Sequence, residues 1–462
     1  MDVLTQIQRL INIKKSFINV LANIGYAVST FQEIISSVEN HKQGDLDKSL
    51  MSALTAEDEA VRMDESVYDL YERLFAQNET LLSSVDTLAS KSFYETNLVY
   101  FKSKPCNAAI NDAFSSCRSL MFAELDQATD CTTLNSTFRR CSNLVAVELP
   151  PSLDKCKDLR YTFSICTSLR KVNLPKQLPV CTSMAYIFEN CRNLDIDIEF
   201  TYLPKVTNLD IAFSGCSSLS SVTLPTEMPA LTTLGAAFNG CSSLSSVTLP
   251  TEMPALTSLY EAFRNCRSLS TPLDIDCTNV LTINGCQIFD SCKNIPSLTL
   301  HSTSNIHNFS YFIFNCTSLT SVTGLDLSNA FLSVDEVKQV AAANKVTISD
   351  ADAETAYMQT SWMGCSKTNT KLTNMPLQGT LYRSGFSIAS CPLTAESLYT
   401  WFVALYDWTN NPEAKNTDDT THILTVNATS LANMQEYVPD DGVSGEEIYL
   451  QAIEKGWAIQ TT

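Results

Sequence analysis

The chain has 462 residues, 44% of them hydrophobic, with a formal net charge of −19 at pH 7. That length holds two or three domains, or one solenoid with attachments. The acidity excludes nucleic acid and anionic membrane as expected partners, because both need clustered Lys and Arg, and no window approaches the roughly 18 apolar residues of a bilayer-spanning helix.

The N-terminal MDVLTQIQRLINIKK is amphipathic and lacks the apolar run and cleavage site of a secretory signal. Apolar residues recur at helical spacing through Leu4, Ile7, Leu10, Ile11, Phe17, Ile18 and Leu21, break at Gly25, and resume at Phe31, Ile34, Ile35 and Val38. Gly25 suits a C-terminal cap and Ser29 or Thr30 an N-cap, so residues 1–43 are expected to form a short helical hairpin.

Residues 44–103 are expected to form a long helix, since neither proline nor glycine occurs between Asp45 and Ser92. Val67, Tyr71, Leu74, Asn78, Leu81, Val85 and Leu88 alternate steps of four and three, a heptad seam. The seam fits a self-associating coiled-coil stalk, and it also fits an amphipathic helix packed on the first repeat.

Residues 104–330 are repetitive. The stretch CSSLSSVTLPTEMPALT starts at Cys216 and recurs unchanged at Cys241. An aromatic three residues before a cysteine recurs as Phe114/Cys117, Phe138/Cys141, Phe163/Cys166, Phe188/Cys191, Phe213/Cys216, Phe238/Cys241, Phe263/Cys266 and Phe289/Cys292. A leucine follows most of these cysteines after three residues, and then a V-x-L-P segment such as Val222/Leu224 or Val247/Leu249. Alternation stopped by proline reads as a short strand. A period of about 25 residues with fixed leucines is the leucine-rich-repeat signature. The predicted fold is an α/β solenoid in which stacked units bury one continuous core.

The cysteines follow the repeat. Cys141, Cys166, Cys191, Cys216, Cys241 and Cys266 hold one repeat position, expected to be core. Cys131, Cys156 and Cys181 hold a second, where later repeats have Val206, Leu231 and Leu256. A position that accepts cysteine, valine or leucine is an apolar packing position, so the expectation is buried free thiols rather than disulfides or metal ligands.

Residues 331–462 hold irregular repeats and a closing unit. SVDEVKQVAAAN is an inserted helix with a capping box at Ser333 and Glu336. LTAESLYTWFVALYDW, THILTVNATSLANMQEY and AIEKGWAIQ read as helix, strand, helix, strand, a cap over the last open turn. No enzyme is expected: His301, His307 and His422 lack a nucleophile or carboxylate at triad spacing, and the run Asp350, Asp352, Glu354 lacks the glycine and closing glutamate of a calcium loop. Neither cofactor nor metal is expected.

The repeats resemble the BspA-type leucine-rich repeats found in surface proteins of gut Bacteroidetes and in phages that infect them. IKKSFINVLANIGYAVSTFQEIISSVEN is similar to an anchor motif of tailed-phage structural proteins, held here by Ile13, Lys14, Phe17, Ile18, Leu21, Gly25, Val28, Ser29, Phe31 and Ile35, with Ile24 replacing the usual lysine. The C-terminal helix, strand and K-G-W ending resemble the closing unit of the same proteins. The resemblance implies a head or tail fibre of a crAss-like phage on the virion surface. Residues 1–43 would dock on capsid or tail proteins, the seam would make a homotrimer, and the repeats would adhere to host glycan or protein. Ser221, Thr223, Ser246 and Thr248 are the expected ligand surface. The alternative implied by the same repeats is a bacterial cell-surface adhesin.

Overall fold

A V-x-L-P segment places its valine and leucine on one side of a strand, and the proline ends the ladder. In the computed structural model, which describes residues 81, 84–101, 104–281, 286–360, 369–411, 421–440 and 442–462, these segments form short parallel strands one turn apart. The first sheet joins β1 (Tyr100–Phe101), β2 (Phe122–Glu124), β3 (Ala146–Glu148) and β4 (Lys171–Val172). A second joins β5 (Ile198–Glu199), β6 (Ser221–Thr223) and β7 (Ser246–Thr248). A third joins β8 (Leu273–Asp276), β9 (Ser297–His301) and β10 (Ser321–Thr323). Register follows the repeat, with Val147 beside Val172 and Val222 beside Val247, so valine always faces inward. A second ladder of single bridges runs through Thr133, Asp158, Ser183, Asn208, Thr233 and Ser258. The result is a β-solenoid of about nine turns.

The expected α/β character is corrected here. Between β2 and β10 the described residues hold only one short helical segment, Ala128–Asp130. The reason lies beside each phenylalanine, where the residues two before and two after take left-handed backbone. Ser136 and Arg140 flank Phe138 at φ 56° and 62°, and Tyr161 and Ile165 flank Phe163 at 57° and 62°. A right-handed helix cannot pass through such residues, so the F-x-x-C segment is a tight corner. Each corner is held by the next turn: Ser136, Phe138 and Arg140 donate their N–H groups to the carbonyls of Arg160, Thr162 and Ser164 at 2.8–2.9 Å.

The phenylalanines stack. From Phe93 to Phe289, neighbouring rings lie 5.1–5.9 Å apart within 20° of parallel. Such pairs add about 0.5–1.5 kcal/mol each beyond burial. The stack ends at Phe312, edge-on to Phe289 at 79°, because Ile313 occupies the place three residues before Cys316.

The cysteines have a second task besides filling space. Cys141, Cys166, Cys191, Cys216, Cys241 and Cys266 each donate Sγ–H to the carbonyl of the phenylalanine one turn back, at 3.0–3.1 Å. Burial raises their pKa values, which keeps the proton on sulfur and the donor intact. Cys131, Cys156 and Cys181 donate Sγ–H to the carbonyl two residues on in their own turn, at 3.1–3.6 Å, and share their position with buried Val206, Leu231 and Leu256. All described cysteines are free thiols.

The solenoid begins inside the span assigned to the stalk. Leu88 is fully buried and bridges Cys106, and Phe93 opens the aromatic stack. Leu81 and Val85 are half-buried against the same core. Three residues of the heptad seam therefore pack within the chain, but the long helix expected over 44–103 does not extend through residues 84–101, which form turns, the Leu88 bridge and β1 because they already belong to the first solenoid turn. Val67, Tyr71, Leu74 and Asn78, and the anchor residues Ile13, Phe17, Ile18, Leu21, Gly25, Phe31 and Ile35, lie outside the described residues.

After β11 (Leu325–Asp326), α1 (Val334–Ala343) and α2 (Asp350–Gln359) form an insertion with its own core of Phe331, Val337, Ala341, Ala353 and Ala356. The strand column resumes where Leu377 of β12 (Leu377–Gln378) pairs with Leu325. Ser333 caps α1 by accepting from Glu336 N, whose carboxylate reaches back to Leu332 N. Ser349 caps α2, and Asp350 pairs with Lys338 at 2.8 Å, so the acidic run is a capped helix start.

The C-terminal unit contains β13 (Phe386–Ser387), α3 (Ala395–Val403), β14 (Ile423–Val426), α4 (Ala428–Gln435), α5 (Gly445–Glu454) and β15 (Ala458–Thr461). One helix, α5, is added to the expected order. Trp401 and Trp457, both buried, belong to the solenoid's core and donate Nε1–H to the carbonyls of Met375 and Tyr406 at 2.8 Å.

Candidate recognition surface

A stacked repeat exposes columns of like residues, and hydrogen bonding decides which columns can meet a ligand. Thr182, Thr207, Thr232 and Thr257 form one column. Each hydroxyl donates to the carbonyl one turn back at 2.8–3.1 Å, and each N–H donates to the same carbonyl. On another edge the Ser217 and Ser242 hydroxyls donate to the carbonyls of Arg192 and Ser217 one turn back, at 3.2 and 3.3 Å. These hydroxyls bind the solenoid to itself.

The strand face differs. Ser221 pairs with Ser246 and Thr223 with Thr248 across β6 and β7, so the four residues expected as ligand surface form one patch. Alternation turns them outward while Val222 and Val247 turn in. Ser221 Oγ donates to the Asp197 carboxylate. Among the described residues, the hydroxyls of Thr223, Ser246 and Thr248 have no side-chain partner in the chain and remain open to another molecule. The patch is bounded by the Lys176–Glu199 and Asp274–His301 pairs, both 2.5 Å and both exposed.

The other histidines are structural. His307, half-buried against Phe331, contacts the Asn329 carbonyl through Nδ1 at 2.7 Å, and its partial burial lowers its pKa. His422 stacks on Trp408 at 4.6 Å. Among the described residues no group of three or more His, Cys, Asp or Glu could hold a metal, and no helix is long and apolar enough to cross a membrane.

A cleft of about 540 Å³ in the C-terminal unit is lined by Tyr399, Thr400, Val403, Tyr406, Asp407 and Lys455 among others. Its polar groups serve the fold: Tyr399 donates to Val443 O at 2.8 Å, Thr400 to Ser397 O at 2.7 Å, and Asp407 accepts Asn410 N–H and Nδ2–H. The Asn410 hydrogen bonds hold the Asp407 carboxyl below its ordinary pKa. Sequence patterns did not mark this cleft, and they also missed an outer stack of Arg139, Tyr161 and Tyr186, which joins two repeat positions.

The family model described as BspA type Leucine rich repeat region matches in six copies, over residues 66–195, 132–270 and 235–351. This chain belongs to the BspA-type leucine-rich-repeat family. Among solved structures, this BspA-type protein is similar to the leucine-rich-repeat protein of T. pallidum, at 24% identity over 37% of this chain and 72% of that one, with a TM-score of 0.27. It is also similar to TLR13 in complex with ssRNA13, at 13% identity over 72% of this chain and 57% of that one, TM-score 0.20. The Drosophila Toll–Spatzle complex matches at 13% identity over 81% of this chain and 59% of that one, TM-score 0.23. These scores are low, and the family assignment rests on the repeat match. No curated protein matches this BspA-type chain.

Proposed function

We propose that this BspA-type protein is a non-enzymatic recognition protein whose strand face adheres to a glycan or protein on a bacterial surface. The observation that carries this is the division of hydroxyls into columns spent on the fold and a patch, Thr223, Ser246 and Thr248, left open. A fully packed, hydrogen-bonded repeat holds that patch rigid, so little freedom is lost on binding.

The fuller reading is a head or tail fibre of a gut Bacteroidetes phage. Residues 1–43 would attach it to capsid or tail, and self-association through Val67, Tyr71, Leu74 and Asn78 would make a homotrimer. Support comes from the anchor-like pattern of Ile13, Phe17, Ile18, Leu21, Gly25, Phe31 and Ile35 and from the repeats themselves. The test is immunogold electron microscopy with an antibody against residues 216–259 on a culture producing the protein. Label on virions supports the fibre, and its position separates head from tail. Label confined to cell envelopes overturns it in favour of a bacterial adhesin.

A further inference from the structure

The net charge of −19 is unevenly spread. Residues 131–180 carry eight Lys and Arg (Arg139, Arg140, Lys155, Lys157, Arg160, Arg170, Lys171, Lys176) against three Asp and Glu. Residues 181–280 carry four against ten. Two turns of an acidic solenoid are thus strongly basic, and all eight cations except Arg139 are exposed.

The fold brings several of these cations together. Backbone hydrogen bonds from Lys157 N to Thr132 O, Ser136 N to Arg160 O and Arg140 N to Ser164 O set the turn bearing Arg139 and Arg140 against the turn bearing Lys157 and Arg160. Adjacent strands of such a ladder lie about 4.8 Å apart. The Arg139 guanidinium sits over the Tyr161 ring, 5.0 Å from its centroid, and its buried Nε has no hydrogen-bond partner. Tyr161 stacks on Tyr186 at 4.5 Å, one turn further on. The carboxylates nearby are largely engaged. Asp158 is held by Arg160 at 2.8 Å and by Asn135 Nδ2 at 3.0 Å, and Glu189 accepts from Ser164 Oγ at 2.8 Å. Asp112 lies on the preceding turn.

We propose that this ridge, Arg139, Arg140, Lys157 and Arg160 beside the half-exposed Tyr161 and Tyr186, binds an acidic polysaccharide. The proposal rests on the recognition reading above and names a ligand class for it. The guanidinium groups meet carboxylate oxygens as planar forks. The tyrosines offer apolar surface to the C–H groups of the sugar ring with a polar tip beside it. A nucleic acid duplex carries one charge about every 1.7 Å, and its continuation would run over the acidic turns that follow. A polysaccharide with one carboxylate per sugar is less densely charged, and a short segment fits two turns.

The experiment measures the full chain against immobilised polygalacturonate at low salt, with dextran as the neutral control. The double variant Arg139→Gln/Arg140→Gln is expected to bind about tenfold more weakly, equivalent to about 1.4 kcal/mol. Lys157→Gln is expected to weaken binding as well, and supplies the answer if the double variant does not fold. Arg267→Gln, outside the ridge, is expected to bind as the parent does, and added salt to weaken the parent progressively. Parent-like binding by both ridge variants, equal loss in Arg267→Gln, absence of polygalacturonate binding, or equal affinity for a single-stranded DNA of matched charge each overturns the proposal. Attachment of the same protein to bacterial cells, measured in parallel, separates the two readings. Cells bound without polygalacturonate binding removes the ridge and leaves the recognition function standing, whereas failure to bind any cell counts against the recognition function itself.

Discussion

Cys216 donates its Sγ–H to the Phe188 carbonyl at 3.0 Å, and the same oxygen accepts the Cys191 N–H at 3.0 Å. One carbonyl thus closes its own corner and grips the next. Repeated along the phenylalanine column, this relation explains why cysteine holds that position more strictly than size and apolarity require.

Cys241→Ala removes a buried sulfur and its bond to Phe213 O, so a loss of about 1–2 kcal/mol is expected. Cys156→Val changes a position that already holds Val206 two turns later, and is expected to cost less than about 1 kcal/mol. Denaturant unfolding of both variants checks the contrast. Equal costs would mean that the thiol acts by volume alone.

The buried thiols also set an alkaline limit. Cys156, Cys181 and Cys241 are pushed up to about 12 from 9.0, chiefly by burial. Their folded pKa values lie above the unfolded one, so the stability they contribute is fully present below pH 9. It is lost as pH rises from 9 toward 12, by about 1.4 kcal/mol per pH unit for each thiol. Circular dichroism between pH 8 and 11 is expected to show cooperative unfolding, which Cys156→Val should delay. Among the described cysteines, half-buried Cys106, pushed up to about 11, should be alkylated first under native conditions.

Ile165 has φ 62°, a strained conformation for a β-branched side chain. The same corner position holds Asn190 and Asn265, at φ 56° and 62°. Ile165→Asn is therefore expected to raise the melting temperature, with relief of about 1 kcal/mol exceeding the half-buried apolar contact that is lost. A lower melting temperature would show that Ile165 contributes more by packing than its backbone costs.

Legibility in the sequence followed the strictness of the repeat. Val222, Leu224, Val247 and Leu249 announced strands because alternation and a terminal proline have few other meanings, and β6 and β7 formed there. The F-x-x-C spacing was equally visible, but three-residue spacing also suits a helix, and only backbone conformation shows it to be a left-handed corner. The first turn was hidden because Thr96 stands where cysteine was sought, although Phe93 holds the stack and Thr96 Oγ1 contacts Cys117 Sγ at 3.5 Å. The ridge of Arg139, Tyr161 and Tyr186 was invisible because the tyrosine recurs on only two successive turns and the arginine joins it from a different repeat position. The open hydroxyls of Thr223 and Thr248 could be named from sequence but not told apart from Thr207 and Thr232, whose bonds become apparent only when the turns stack.

The strand face is the place where binding and stability should separate most cleanly. Thr223 and Thr248 contribute no side-chain hydrogen bond to the fold among the described residues and sit side by side in register. Substituting both with alanine is expected to change stability by less than about 1 kcal/mol, as for exposed residues without special features. Attachment to the bacterial surface should fall markedly if the patch is the contact. Thr207→Ala with Thr232→Ala removes hydroxyls of the same type that tie turns together, and should lower the melting temperature while leaving attachment per folded molecule intact. Comparing the two double variants by calorimetry and cell-binding assay tests both columns at once. Attachment lost from the Thr207 and Thr232 pair, with the Thr223 and Thr248 pair unaffected, would move the recognition surface from the strands to the corner beside them.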